Sequence, residues 1–140
     1  MALLFTPLKM GAQTLPNRIC VPPMCCCLAR EGVGSDELIA HYEKLAASVA
    51  GLVVIEATAV RADGRITTRC LGLYNDEQER FFKRLLKACR AVAPAETKFF
   101  LQLSHCGRKG SRKDPKTGHG TLLPEEGGFA LMAPSAVAYT

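Results

Sequence analysis

Three short segments hold the side chains with most to offer chemically. Pro22-Pro23-Met24-Cys25, continuing into Cys26 and Cys27, sets thiols behind a rigid proline pair. Glu56-Ala57-Thr58 places one carboxylate after an apolar run. Gln102 lies inside another apolar run and precedes Ser104-His105-Cys106-Gly107-Arg108-Lys109. Together they offer a carboxylate for acid–base work, thiols for redox or metal work, an amide that donates and accepts at once, an imidazole, and two cations.

Each residue also has a plainer use. Pro23 and Met24 can end a strand and fill core space. Glu56 can be an acid catalyst, but an ion pair with Arg18 or Arg65 is the blander expectation. Gln102 in an apolar strand is by default a hydrogen-bonded core amide. His105 reads as structural, because no nearby Ser, Asp or Glu forms an obvious relay with it. Cys25, Cys27, His105 and Cys106 could be weighed as zinc ligands. No C-x2-C pair exists, however, and three adjacent thiols cannot all face one ion, so no metal site is expected. Cys20, Cys70 and Cys89 read as small buried hydrophobes. Neither G-x-x-x-x-G-K-[ST] nor G-x-G-x-x-G is present, so no phosphate loop is expected.

The elements that must position these residues follow from periodicity. Short apolar pieces on either side of Gly11-Ala12-Gln13 predict a hairpin. Ile19-Cys20-Val21 predicts a strand that stops at Pro22-Pro23, since proline supplies no ladder N–H. Ser35 caps a helix that opens with Asp36 and Glu37 at its positive end. Leu38, Ile39, Tyr42, Leu45, Ala46 and Val49 form its face, and Gly51 ends it. Leu52-Val53-Val54-Ile55 is continuously apolar, as a strand buried on both faces would be. Asn75 and Gln78 suggest a capping box for a second helix, with Phe81, Phe82, Leu85, Leu86, Cys89 and Val92 on one face and Pro94 as its stop. Phe99-Phe100-Leu101-Gln102-Leu103 predicts a third strand, and 107–128 a long loop. Alternating β and α elements imply right-handed βαβ units and a parallel sheet. In that architecture the three reactive segments meet at the carboxyl ends of the strands, where function gathers.

Bulk composition narrows the classes. The chain has 140 residues, 48% hydrophobic and 22% charged, as a folded globular chain does. That is too short for a complete (β/α)8 barrel, which needs ~250 residues. The longest nearly apolar run, Leu45 to Ile55, contains Ser48 and is too short for a spanning helix, so no membrane partner is expected. Met1 to Pro7 lacks the features of a secretory signal, and 7 cysteines with three in a row are not a disulfide framework. A reducing, cytoplasmic setting is expected. Much of the net charge of +5 sits between Arg108 and Lys116, where Arg108, Lys109, Arg112, Lys113 and Lys116 face Asp114 alone. A solvated loop is the plain reading and a phosphate-facing loop the sharper one. Nucleic acid is not an expected partner, since no broad basic face with interleaved aromatics exists.

In order and spacing the segments resemble the N-terminal portion of the Old Yellow Enzyme family of FMN-dependent NAD(P)H oxidoreductases. The resemblance rests on Leu4-Phe5-Thr6-Pro7-Leu8-Lys9 with Asn17-Arg18-Ile19, Pro23-Met24-Cys25, His41-Tyr42, Glu56-Ala57-Thr58, Gly64-Arg65, Gln102 through Lys109, and Ala133-Pro134-Ser135. It implies an α/β fold of TIM (β/α)8 barrel type with only about the first three βα units present. Residues 1–140 would then be the N-terminal part of a truncated FMN-binding barrel domain.

By the same resemblance Pro22, Pro23 and Met24 lie under the flavin ring and Cys25 near its O4–N5 edge. Ala57 offers its backbone to the polar edge, and Gln102 hydrogen-bonds the pyrimidine part. Cys27 and Lys109 fall on the substrate side. The implied reaction is hydride transfer from NADPH or NADH through FMN to a small activated alkene such as an enone. Two positions depart from the family pattern: Cys27 stands where the Cys25 subgroup has Tyr, and Leu45 stands where the His-Tyr-x-x-Arg-Ala segment has Arg. The family's substrate-orienting His-His or His-Asn pair, its flavin-contacting Arg and its phosphate-binding strands would all follow Thr140, so impaired activity is expected. The alternatives are a non-catalytic truncated paralogue or gene-model fragment, and a half-barrel completed by homo-oligomerisation or a separate chain.

Overall fold

The computed structural model describes residues 2–139. After a single 3-10 turn at Leu3–Phe5 comes the expected hairpin: β1 (Leu8–Met10) runs antiparallel to β2 (Gln13–Leu15), with Leu8 opposite Leu15. β3 (Cys20–Val21) follows and stops before Pro22. A second small hairpin, β4 (Ala29–Arg30) and β5 (Val33–Gly34), turns through Glu31 and Gly32, both left-handed. Two-residue strands carry no readable alternation, so the sequence does not announce it.

Helix α1 (Asp36–Ala46) begins where the cap requires, with the Ser35 hydroxyl accepting the Leu38 N–H. It ends earlier than the sequence suggests. Ala47 closes it, Val49 is exposed, and Gly51 instead opens the next strand, its N–H donating to the Ile19 carbonyl.

Strand β6 (Leu52–Ala59) is twice as long as the apolar run alone predicts. The short β7 (Leu71–Gly72) follows, then α2 (Asp76–Val92), capped by the Asn75 carboxamide oxygen on the Gln78 N–H at 3.0 Å. Phe81, Phe82, Leu85 and Cys89 are its buried stripe, whereas Leu86 and Val92 are partly exposed. Strand β8 (Lys98–Ser104) closes the regular part.

β6 is the centre of a parallel sheet. It pairs with β3 (Val21 opposite Val53), with β7 (Ala59 opposite Gly72) and with β8 (Val53 opposite Phe99). The two helices pack together over one core, which contains Leu38, Tyr42, Val53, Ile55, Leu71, Phe81 and Leu85. At roughly 2 kcal/mol for each large apolar side chain removed from water, that cluster supplies most of the drive to fold. Two βαβ units of parallel type result. The structure is an open part of an α/β barrel with no closed barrel. Among the described residues no helix is long and apolar enough to cross a membrane.

Candidate functional site

The register of β6 against β8 slips at one place. Ile55 pairs with Leu101 and Thr58 with Leu103, so Glu56 and Ala57 together face Gln102 alone. This is a β-bulge, a device that bends a strand and re-aims its side chains. Glu56, Ala57 and Thr58 are therefore inside the strand, not beyond it as the sequence suggests.

The bulge is anchored from α1. The Glu56 N–H donates to the Tyr42 hydroxyl at 2.8 Å, and that hydroxyl donates to Glu56 Oε2 at 3.3 Å. Glu56 Oε1 accepts the Cys26 N–H at 3.1 Å. Neither Arg18 nor Arg65 pairs with Glu56, which corrects the ion-pair expectation. Arg18 Nε donates to Thr6 Oγ1, and the buried Arg65 donates to the Ala62 and Thr68 carbonyls, 3.7 Å from the Glu31 carboxylate. Glu56 is only 1% exposed, and burial raises its carboxyl above the ordinary 4.5 despite the hydrogen bonds that pull it down. Burial likewise holds the Tyr42 hydroxyl well above its usual range, with Glu56 adding to the effect.

The cysteine loop lies across the bulge. The Ala57 backbone lies beside the Cys25 sulfur and offsets part of the burial that raises its thiol. Cys26 Sγ donates to the Met24 carbonyl at 3.4 Å. Pro22, Met24 and Cys25 are exposed and Pro23 is half-buried, so Met24 does not fill core space. Cys27 adopts left-handed backbone at φ 54, and its carbonyl accepts Arg69 Nε at 2.9 Å. Arg69 in turn lies 3.4 Å from the Asp114 carboxylate.

Gln102 is exposed, and its amide has no hydrogen-bond partner among the described residues. The expectation of a satisfied core amide fails there, because the inner side of β8 is uncovered. Cys20 also proves exposed, while Cys70 and Cys89 are buried. Cys70 receives the Thr67 N–H on its sulfur.

His105 is exposed; its Nδ1 accepts the Gly107 N–H at 3.1 Å, and its ring fills the space over Gly64 that a Cβ would need. Arg108 donates to Ser135 Oγ at 2.7 Å, which ties the start of the basic segment to Ala133-Pro134-Ser135. Lys109 stands apart from the bulge, its ammonium 4.9 Å above the Tyr139 ring. Lys113 pairs with Glu126 at 2.6 Å. The basic segment is thus partly neutralised.

The structure joins Cys25, Ala57 and Gln102 around one bulge and sets Lys109 elsewhere. Sequence reasoning gave Tyr42 a place on the helix face and in the family resemblance but missed its link to Glu56. A buried Tyr requires a polar partner for its hydroxyl, and the lone acid of the nearest buried strand was the available signal.

Comparisons with known proteins agree with this architecture. A family model described as NADH:flavin oxidoreductase / NADH oxidase family matches residues 3–130. An NADPH dehydrogenase of Listeria welshimeri is 39% identical over 141 residues, which cover 99% of this chain and 36% of that protein. The solved structure of the old yellow enzyme from Trypanosoma cruzi superposes with a TM-score of 0.74 at 31% identity, over 97% of this chain and 35% of that one. Morphinone reductase, solved in complex with tetrahydroNAD, gives 0.69 at 31% identity over 79% of this chain and 29% of that chain. The chain spans about a third of the length of the relatives it matches.

Proposed function

Because the chain belongs to the NADH:flavin oxidoreductase / NADH oxidase family, the Old Yellow Enzyme group, we propose that residues 1–140 form the N-terminal part of an FMN-binding barrel domain and carry one side of its flavin platform. The chemistry that FMN supplies is hydride transfer from a nicotinamide reductant to an acceptor, here an activated alkene such as an enone. This chain's residues bind and orient.

The reading is carried by one juxtaposition: an exposed amide with no partner among the described residues, Gln102, opposite a two-residue bulge whose Ala57 backbone lies beside Cys25. A flavin's pyrimidine edge alternates acceptors and a donor. A free carboxamide and a bulged backbone suit such an edge, since the bulge frees peptide groups from the ladder. Gln102 would hold the pyrimidine part and Ala57 the polar edge. The Cys25 thiol would stand beside that edge as a weak donor, and Pro22, Pro23 and Met24 would carry the loop beneath the ring. Cys27 and Lys109 belong to the substrate side in this reading, with Cys27 leaving more room than a tyrosine would.

Flavin titration followed by quenching of FMN fluorescence tests it. We expect saturable binding, weakened about tenfold by Gln102→Ala, the loss of a hydrogen bond of roughly 1.4 kcal/mol. Turnover of NADPH with cyclohexenone is expected to be weak, because the residues that the resemblance assigns to the substrate carbonyl have no counterpart within this stretch. Equal, weak binding by both proteins would remove the cofactor reading.

A second reading has its own observation. Strand β8 pairs only with β6 among the described residues, and Phe100 and Leu103 on it are 39% and 64% exposed. A further strand, from a second copy or a separate chain, would cover them. Size-exclusion showing only monomer across a wide concentration range would count against it.

A further inference from the structure

Activated alkenes are electrophiles toward sulfur. A thiolate adds to the β-carbon: a C–S bond forms, the π pair moves to the α-carbon, and that carbon takes a proton from water. A neutral thiol does this poorly, so the protonation state of a cysteine beside such substrates decides whether it survives. Three consecutive cysteines, one of them exposed, sit in this position here.

We propose that Glu56 keeps the Cys25 and Cys26 thiols protonated, shielding the tri-cysteine loop from the electrophilic alkenes of the proposed reaction; the inference rests on that reading for its purpose. The geometry begins with the charge on Glu56. Its Oε1 receives the Cys26 N–H. Its Oε2 receives the Tyr42 hydroxyl proton, which is directed there because the same hydroxyl accepts the Glu56 N–H. Both oxygens act as acceptors, which is the pattern of an ionised carboxylate. That negative charge is buried directly under the loop, where little solvent screens it.

The other groups facing it do not offset it at Cys25 and Cys26. From α1 come Tyr42 and His41, the latter half-buried. From the loop before β7 comes Cys70. The nearby Arg69 guanidinium donates to the Cys27 carbonyl and is already matched by Asp114. The direction agrees: burial first and Glu56 next push the Cys26 thiol up to about 12, and burial, Cys70 and Glu56 push Cys25 up to about 11. A proton on Cys25 also leaves it able to donate.

The test is N-ethylmaleimide, itself an activated alkene, applied to the flavin-free full chain over a pH series. Labelling is read at each cysteine by tandem mass spectrometry, with the exposed Cys20 on β3 as internal standard. In the wild type, Cys25 and Cys26 should label more slowly than Cys20, with profiles displaced to higher pH. Glu56→Gln keeps an acceptor for the Cys26 N–H and removes the charge. It should speed labelling of Cys25 and Cys26 about tenfold at fixed pH, one unit of thiol pKa, and leave Cys20 unchanged. A purely structural role would not move the pH profile in a variant with wild-type circular dichroism. Unchanged rates in Glu56→Gln would overturn the inference. So would wild-type Cys26 labelling as readily as Cys20, a result that stands even if the variant fails to fold. Because no flavin is used, a chain that binds no FMN yet shows the displaced profiles sinks the functional reading alone.

Discussion

Tyr42 and Glu56 are joined twice, once through the backbone N–H of Glu56 and once through its carboxylate, with the same phenolic oxygen serving as acceptor and donor. Tyr42→Phe removes both links and keeps the ring in the core. It leaves a buried N–H without a partner, which costs about 1–3 kcal/mol. Urea denaturation should show that loss, and an unchanged midpoint would mean that water replaces the hydroxyl.

The same carboxyl makes stability depend on pH. Burial raises its pKa in the folded chain above the ordinary 4.5. The folded state then binds more protons than the unfolded state between those two values, so this group's contribution to stability falls as pH rises through that window. Acidifying from neutral toward pH ~5 should stabilise the wild type relative to Glu56→Gln. Parallel denaturation curves at several pH values check the sign, and identical pH slopes would contradict it.

Gln102→Ala should separate binding from folding. The amide is exposed and has no partner among the described residues, so thermal and chemical stability should stay within about 0.5 kcal/mol of wild type. A large loss of stability would show that the side chain is used structurally, and a flavin defect in that variant would then carry no meaning.

Gly34→Ala should damage the core without touching the site. A Cβ at Gly34 would overlap the buried Phe81 ring, which α2 holds in place. Forcing the ring aside costs about 1–3 kcal/mol. A lowered melting temperature with an undisturbed thiol-labelling pattern at Cys25 and Cys26 is the expected result.

Much of the frame was legible in the sequence because its signals are local. The Ser35 and Asn75 caps lie within one turn of the N–H groups they satisfy, and the Phe81-Phe82-Leu85-Cys89 stripe repeats at helical spacing. The site was legible only in part. Which residues gather at the strand ends follows from α/β architecture, but the bulge belongs to two strands at once and leaves no mark on either alone. The β6 apolar run stops at Ile55, so the strand's continuation through a glutamate is invisible until Tyr42, 14 residues earlier, is seen to offset part of the cost of burying it. Gln102 looked like a core amide because its neighbours are apolar, and only the uncovered side of β8 shows why it is exposed.

The bulge also constrains how this chain can change its length. Ahead of it, Ile55 is matched to Leu101; behind it, Thr58 is matched to Leu103, and both Thr58 and Ala59 are buried. Deleting either Glu56 or Ala57 would make the two strands count alike, with Thr58 still opposite Leu103 and on the same face. Inserting one residue next to Gln102 would do the same from the other strand. Either change removes the bulge, keeps the pairing on both sides of it and straightens the strand where Glu56 meets Tyr42. Two stretches far apart in the chain thus answer to one length rule, an equivalence that a deletion in one and an insertion in the other would expose.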